Sequence, residues 1–335
     1  SAGQHRMSLL PLTLATWDYD RVRALMDGRV RIEGCDHRHI NVAPEECFHR
    51  AWAGEFDAAE IGFCSYLMSV ARGNSPFVAI PVFTSRIFRH SGIYIRDDRG
   101  IEAPADLKGK RIGVPQYEMA AAVWIRGFLH EDYGVAPADI AWRQGGLEIS
   151  GRRSPVPLTP PPGLSIEPIP DGATLSTMLA AGELDGIVTA RAPSCFDAGH
   201  PHVRRLFEDY RAVEQDYFRR TKLFPIMHVV GIRRALAEQH PWLAASLLKA
   251  FGEAKRLAEA ELREVNALKI GLPWVTSELR ETERLMGADY WPYGVEANLK
   301  TLQTCARYVA EQGITPREVK VEEMFAATTL KGMKI

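Results

Sequence analysis

Ala53-Gly54-Glu55-Phe56-Asp57-Ala58-Ala59-Glu60-Ile61 is answered later in the chain by Ala181-Gly182-Glu183-Leu184-Asp185-Gly186-Ile187-Val188-Thr189. Each stretch reads as a helix end, a closing glycine, an acidic-apolar-Asp turn and a buried strand. Small helix-to-strand loops reuse these residue types, so the echo counts only if its surroundings repeat as well. They do. Before the first copy, Leu9 to Thr16 is a short apolar run with β-type residues, and Val22, Leu25 and Met26 follow at helical spacing before Gly28. A second strand spans residues 31–42, and Pro44 suits the start of a helix through Phe48 and Trp52. Before the second copy, Asp106 to Pro115 reads as loop and strand, and Met119 to Tyr133 as a helix closed by Gly134. The pattern predicts two α/β lobes of parallel-rich sheet. A strand over residues 81–95 carries the chain into the second lobe and one over 224–232 brings it back, giving lobe I as residues 1–92 and 225–335 and lobe II as 93–224. From Ala235 the pattern is helical, broken at Trp291-Pro292-Tyr293-Gly294, and this tail is expected to pack on lobe I. The segment from Gly145 to Pro170 carries Pro155, Pro157, Pro160, Pro161, Pro162, Pro168 and Pro170. It is read as a loop, and as a surface excursion in preference to a lid.

Composition narrows the partners. The chain has 335 residues, 46% hydrophobic and 25% charged, with 41 basic and 42 acidic side chains. A net charge of −1 builds in no general pull toward nucleic acid or an anionic membrane, so any anion must be caught locally. Ser1 to Ser8 carries Arg6 and no apolar stretch long enough for a secretory signal or a membrane span, and Met7 reads as a native start. Cys35, Cys47, Cys64, Cys195 and Cys305 are odd in number, scattered and without a C-x-x-C pair. They read as free thiols in a reducing cytoplasm.

In open α/β sheets ligands sit beyond the carboxyl ends of the strands, where helix N-termini offer free N–H groups. That rule nominates Trp17, Asp18 and Tyr19, Glu60 to Phe63, Gln116 to Met119 and Thr189 to Arg191. The crossover adds Arg86, Arg89, His90 and Ser91, and the return strand adds His228. Arginines, histidines, carboxylates and aromatic rings converging on one cleft describe a site for a small aromatic acid. Each also has a plainer reading: an ion-paired surface arginine, a histidine satisfied by backbone carbonyls. The pairs His37/His39 and His200/His202 have metal-compatible spacing but no third ligand nearby, so no metal is expected.

Several longer strings carry a resemblance. Arg89-His90-Ser91-Gly92-Ile93-Tyr94, the block Asp106 to Tyr117, Ala121 to Gly127, Gly145-Gly146-Leu147-Glu148, Phe224-Pro225-Ile226-Met227-His228 and Asp289 to Asn298 together resemble the 4,5-dihydroxyphthalate decarboxylase family over most of the chain. Where the family pattern has Ser-Pro before the arginine, this chain has Thr189-Ala190-Arg191. The resemblance implies a two-lobed type II periplasmic-binding-protein-like fold with a ligand cleft between the lobes. It also implies loss of one carboxylate from a dihydroxylated benzene-dicarboxylate to give protocatechuate, without a cofactor. The hydroxylated ring is its own electron sink, so the protein must supply a proton, a base near the phenol and a clamp for the carboxylate that stays. Arg89 and Arg191 are the expected clamp, assisted by Ser91 and Tyr117. His228 or His90 is the expected proton donor, Glu60 or Glu118 the acceptor of the phenol proton, and Trp17 and Tyr293 the ring sandwich. The expected partner is a small aromatic dicarboxylate, with no nucleic acid or membrane, and a homo-oligomer is left open. The rival reading is a solute-binding protein handing an aromatic carboxylate to an ABC-type transporter.

Overall fold

The computed structural model describes residues 8–330, so the reading of Met7 as a start lies outside the described residues. Among the described residues, eleven strands form two sheets. The first sheet takes β1 (Leu10–Thr16), β2 (Cys35–Asn41), β3 (Ala58–Gly62) and β4 (Phe77–Arg86) from the beginning of the chain. The second takes β5 (Ile93–Arg96), β6 (Arg111–Val114), β7 (Ala141–Gln144), β8 (Ile166–Pro168), β9 (Gly186–Val188) and β10 (Val203–Arg205). The chain then returns with β11 (Ile226–Arg233) to the first sheet, between β3 and β4, in the order β2-β1-β3-β11-β4. The second sheet runs β10-β5-β9-β6-β7-β8. The two copies of the echo are β3 and β9, each entered through a glycine at positive φ, Gly54 at 84° and Gly182 at 78°.

Three expectations change. The strand foreseen over residues 81–95 is two strands in different sheets, with a turn at His90–Gly92 between them. The proline-rich segment contains a short edge strand, β8, parallel to β7; an edge tolerates Pro168, which has no N–H for a ladder. The tail does not pack on lobe I alone. The helix Leu243–Leu262 lies on the helix Asp20–Met26 and on β4, but Leu299–Glu311 packs against both Phe63–Ala71 and the lobe II helix Ala120–Tyr133.

That last contact welds the lobes. One continuous apolar core runs from Ala15, Phe63 and Phe83 through Val114, Trp124 and Phe128 to Leu302 and Tyr308. The Trp124 indole N–H donates to the Ile226 carbonyl at 3.0 Å, and its ring meets Tyr308 edge-on at 5.5 Å. Gln312 accepts from Arg126 Nε at 2.8 Å and donates to the Val123 carbonyl at 2.8 Å. Arg126 is buried with no carboxylate within 4 Å among the described residues; its guanidinium lies 3.7 Å from the Tyr117 ring centroid. A Cβ on Gly127 would run into the Tyr308 ring. Gly127→Ala is therefore expected to destabilise by about 1–3 kcal/mol through overpacking, although alanine is the better helix former. Urea unfolding checks this; an unchanged or raised midpoint would show that the helices are not in close contact.

Candidate active site

The site grows out of the end of β3. β11 runs antiparallel to β3 with Val230 opposite Glu60 and His228 opposite Gly62. Residues two apart on a strand share a face, so Glu60 and His228 are diagonal neighbours on the same side of the sheet. On the other side of β11, the ladder to β4 slips on both sides of His228: β4 carries extra residues between Ile80 and Ser85, and β11 carries one between Ile226 and His228. Such a bulge re-aims side chains, and here it delivers Thr84.

Four donors meet the Glu60 carboxylate, which is fully buried. They are the Tyr19 hydroxyl at 2.6 Å, the Thr84 hydroxyl at 2.8 Å, His228 Nδ1 at 2.8 Å and the Trp17 backbone N–H at 3.1 Å. Burial alone would push this carboxyl up; the hydrogen bonds from His228, Tyr19 and the Trp17 N–H outweigh it and hold Glu60 below the usual glutamate value. Tyr19 moves the other way: burial, the Glu60 charge and its hydrogen bond to that carboxylate raise its phenol far above the usual value. An ionised Glu60 only accepts, so His228 Nδ1 must carry a proton and the neutral ring keeps its lone pair on Nε2.

His228 lines a cleft of about 760 Å³ between the lobes, within the roughly 300–1,000 Å³ common for small-molecule sites. Lobe I contributes Phe48, His49 and Trp52 from the helix Pro44–Trp52, together with Gly62, Cys64, Ser65 and Met227. Phe48 meets the His228 ring edge-on at 4.8 Å. The crossover contributes Arg89, and lobe II contributes Gln116, Met119, Ala120, the stretch Gly146 to Arg153, and Thr189 to Arg191. Two helices, Phe63–Ala71 and Ala120–Tyr133, start at this cleft without a side-chain cap. Their free N–H groups and dipoles favour an anion there. Arg89 has no carboxylate within 4 Å among the described residues; Nη1 donates to the Ala190 carbonyl at 3.2 Å. Burial pulls its pKa down to about 10, so it stays a cation at neutral pH.

Of the side chains given catalytic or substrate-binding roles from sequence, Arg89, Arg191 and His228 line the cleft; of the wider nominated set Gly62, Gln116, Met119, Thr189 and Ala190 line it too, and the rest do not. Glu60 stands behind His228 with no exposure, its oxygens occupied, so it cannot meet a substrate phenol. Glu118 is buried outside the cleft lining. His90 lies behind the crossover, stacked on Phe128 at 3.8 Å and flanked by Phe207 and Tyr217. Tyr117 is core: its hydroxyl donates to the Gln312 carbonyl at 2.8 Å and its ring faces Arg126. Ser91 sits outside the cleft, its carbonyl accepting from Arg205. Trp17 is 41% exposed, and only its backbone N–H reaches Glu60. Tyr19 hydrogen-bonds Glu60, and Tyr293 packs against both the core that joins the lobes and the second core of lobe I. The rings that do line the cleft, Phe48 and Trp52, are spaced i, i+4 and so share a helix face. Arg152 was missed because the proline-rich segment reads as an excursion; its first part in fact folds over the cleft. Among the described residues no three His, Cys, Asp or Glu side chains group to hold a metal. His39 instead bonds Thr16 and His37, and His202 bonds Asp97.

His90 makes a separate prediction. Burial, with a smaller push from Arg220, lowers its pKa to about 3. Unfolding returns the ring to about 6.5 and takes up a proton. Stability is therefore whole above about pH 6.5 and drains as pH falls toward 3, with a slope of up to about 1.4 kcal/mol per pH unit from this residue. His90→Phe, which keeps the stack on Phe128, is expected to flatten the dependence of the urea midpoint between pH 6 and 4 by that contribution. An unaltered slope would mean that the ring is not buried neutral.

No protein-family profile matches the chain. It is 46% identical over 330 residues to the 4,5-dihydroxyphthalate decarboxylase of Comamonas testosteroni, covering 98% of this chain and 100% of the relative. It is 48% identical over 214 residues to the enzyme of the same name from Pseudomonas putida, covering 64% of this chain and 83% of the relative. Among solved structures it resembles the periplasmic aliphatic sulphonate binding protein SsuA of Escherichia coli, with TM-score 0.55, 14% identity and coverage of 97% and 100% of the two chains. It also resembles a putative sulfonate-binding SsuA of Methylobacillus flagellatus, with TM-score 0.53, 17% identity and coverage of 96% and 94%. The fold is thus periplasmic-binding-protein-like, and no described helix is long and apolar enough to cross a membrane. By its likeness over nearly the whole length of the Comamonas enzyme, this chain belongs to the 4,5-dihydroxyphthalate decarboxylase family.

Proposed function

We propose that this protein is an aromatic carboxy-lyase that removes one carboxylate from 4,5-dihydroxyphthalate to give protocatechuate, with His228 as the proton donor. The observation that carries the reading is the Glu60–His228 pair at the cleft wall, 2.8 Å apart, with the carboxylate buried and the imidazole facing the cleft. In this substrate each carboxylate is para to a hydroxyl. The reaction needs a proton on the ring carbon that bears the leaving carboxylate, while the para oxygen feeds density into the ring. The carbon–carbon bond then breaks, its electron pair restores aromaticity, and carbon dioxide leaves. His228, protonated at Nε2, is the donor to carbon; the anionic Glu60 stabilises the imidazolium and keeps its plane fixed. Glu60 is a positioning residue, as are Tyr19 and Thr84 behind it.

The retained carboxylate goes to Arg89 and Arg191, with the two uncapped helix starts adding to the positive potential. The carboxylate to be lost lies toward the wall of Phe48, Trp52 and Met227. Less polar surroundings stabilise a carboxylate anion less than they stabilise the neutral carbon dioxide it becomes. No cofactor is assigned, because the ring accepts the electron pair itself. A cytoplasmic setting and a place in phthalate breakdown belong to the same reading, supported by five cysteines that are all free thiols.

His228→Gln is expected to lower kcat for carbon dioxide release by about 10²–10⁴-fold while phthalate, the analogue without hydroxyls, still binds. Near-wild-type turnover in that variant overturns the assignment. Arg89→Gln is expected to raise KM by about tenfold or more. The activity itself is checked with the unaltered protein after chelation: binding of 4,5-dihydroxyphthalate with no carbon dioxide released contradicts the decarboxylase reading.

A further inference from the structure

At the mouth of the cleft two arginines of lobe II meet one carboxylate of lobe I. Arg152 Nη1 lies 3.4 Å and Arg191 Nη2 3.7 Å from the same oxygen, Oε1 of Glu45. Glu45 stands in the first turn of the helix Pro44–Trp52, whose Phe48 and Trp52 line the apolar wall. Arg152 comes from the proline-rich segment and Arg191 from the end of the second echo. All three residues line the cleft. Arg152 is the better buried, its side chain 24% exposed against 72% for Arg191, and its Nη2 donates to Gln116 at 2.8 Å.

The charge count is uneven. Within 4 Å two guanidinium groups face one carboxylate, with Glu118 adding a more distant negative charge near Arg152. Placing like charges on one oxygen is costly unless an anion is shared between them. The arrangement has the form of a carboxylate subsite, and Glu45 occupies it.

We infer that Arg152 and Arg191 form the binding subsite for the carboxylate the substrate keeps, and that Glu45 is an intramolecular competitor for it. This rests on the decarboxylase reading and adds two residues to it: Arg152 as part of the clamp and Glu45 as the group the substrate must displace. The chemistry gives the competitor a use. The substrate carries two carboxylates and the product one, so attraction to the positive cleft falls when carbon dioxide leaves. Glu45 then reclaims the arginines and helps the product out. The same contact ties the lobes together across the mouth when the cleft is empty.

The test is calorimetric titration of wild type, Glu45→Gln, Arg152→Gln and the double variant with protocatechuate and, separately, phthalate. Glu45 is half-exposed, so its replacement leaves the core untouched, and thermal melts verify that each variant is folded. Removing the competitor is expected to tighten protocatechuate binding about three- to tenfold, and Arg152→Gln to weaken it. In the double variant the gain from Glu45→Gln should shrink, because one of the two arginines it competes for is gone. Unchanged affinity in Glu45→Gln, an undiminished gain in the double variant, or no measurable binding in any form overturns the inference. Because the readout is affinity, it is separable from turnover. An unaltered protein that binds both acids but releases no carbon dioxide sinks the decarboxylase reading and leaves the Glu45 competition measurable.

Discussion

A carboxylate with no exposure to water survives as an anion only if hydrogen bonds replace its hydration, and the architecture around β3 is organised to supply them to Glu60. The four donors come from three different stretches of chain. The turn after β1 sends the Trp17 N–H and the Tyr19 hydroxyl, the bulged β4 sends Thr84, and β11 sends His228. The carboxylate therefore ties together three strand ends that otherwise meet only through ladders. Losing any one donor leaves a buried charge less satisfied, which costs more than a surface hydrogen bond is worth. The same geometry decides the tautomer of His228 and turns its free nitrogen away from Glu60. In the proposed reaction, structural demand and chemical use coincide in one pair of side chains.

The second organising feature is the apolar weld between the lobes. Two-lobed binding folds are often described as jaws, yet here Trp124, Phe128 and Tyr308 belong to a single core with lobe I residues. Arg126, buried over Tyr117 and held by Gln312, stiffens the same joint. The helix Ala120–Tyr133 is thereby fixed from both sides, and its N-terminus is one wall of the cleft. A wall held this way suits chemistry that depends on placing a proton donor against one ring carbon, since an error of an ångström is expensive. The mouth of the cleft is built differently: its contacts are ion pairs of partly exposed side chains rather than packed rings.

Much of this was legible in the residues, for physical reasons that differ from place to place. The echo at β3 and β9 is local: helix, glycine and strand follow within nine residues, so short-range pattern suffices. Gly134 closes its helix at φ 68°, as a C-terminal glycine should. The return strand and the residue His228 followed from the same logic. What failed needed long-range knowledge. His90 adjoins Arg89 in sequence, which made it an attractive proton donor, but a turn at His90–Gly92 sends the two side chains to different places. One faces the cleft and the other an aromatic cage. Tyr117 sits at a helix start facing the cleft, yet its ring turns into the lobe interface because Arg126 and Trp142 lie there. Glu60 was picked for chemistry it cannot perform directly, since burial depends on the three strands around it and not on its neighbours in sequence. Phe48 and Trp52 were visible as a helix face, but which partner that face meets is tertiary information. Arg152 was obscured by prolines, which mark irregular backbone without saying whether it faces solvent or a cleft.

The account turns on His228 being held as the Nδ1–H tautomer by an ionised Glu60, with Nε2 open to the ligand. Nitrogen-15 NMR of histidine-labelled protein, titrated with pH in the presence and absence of phthalate, reads this directly. The account predicts a neutral His228 ring that carries its proton on Nδ1, toward Glu60, and an Nε2 shift that responds to phthalate. In Glu60→Gln that tautomer preference should be lost. A His228 that carries its neutral proton on Nε2, or that ignores both phthalate and the Glu60 substitution, would contradict it.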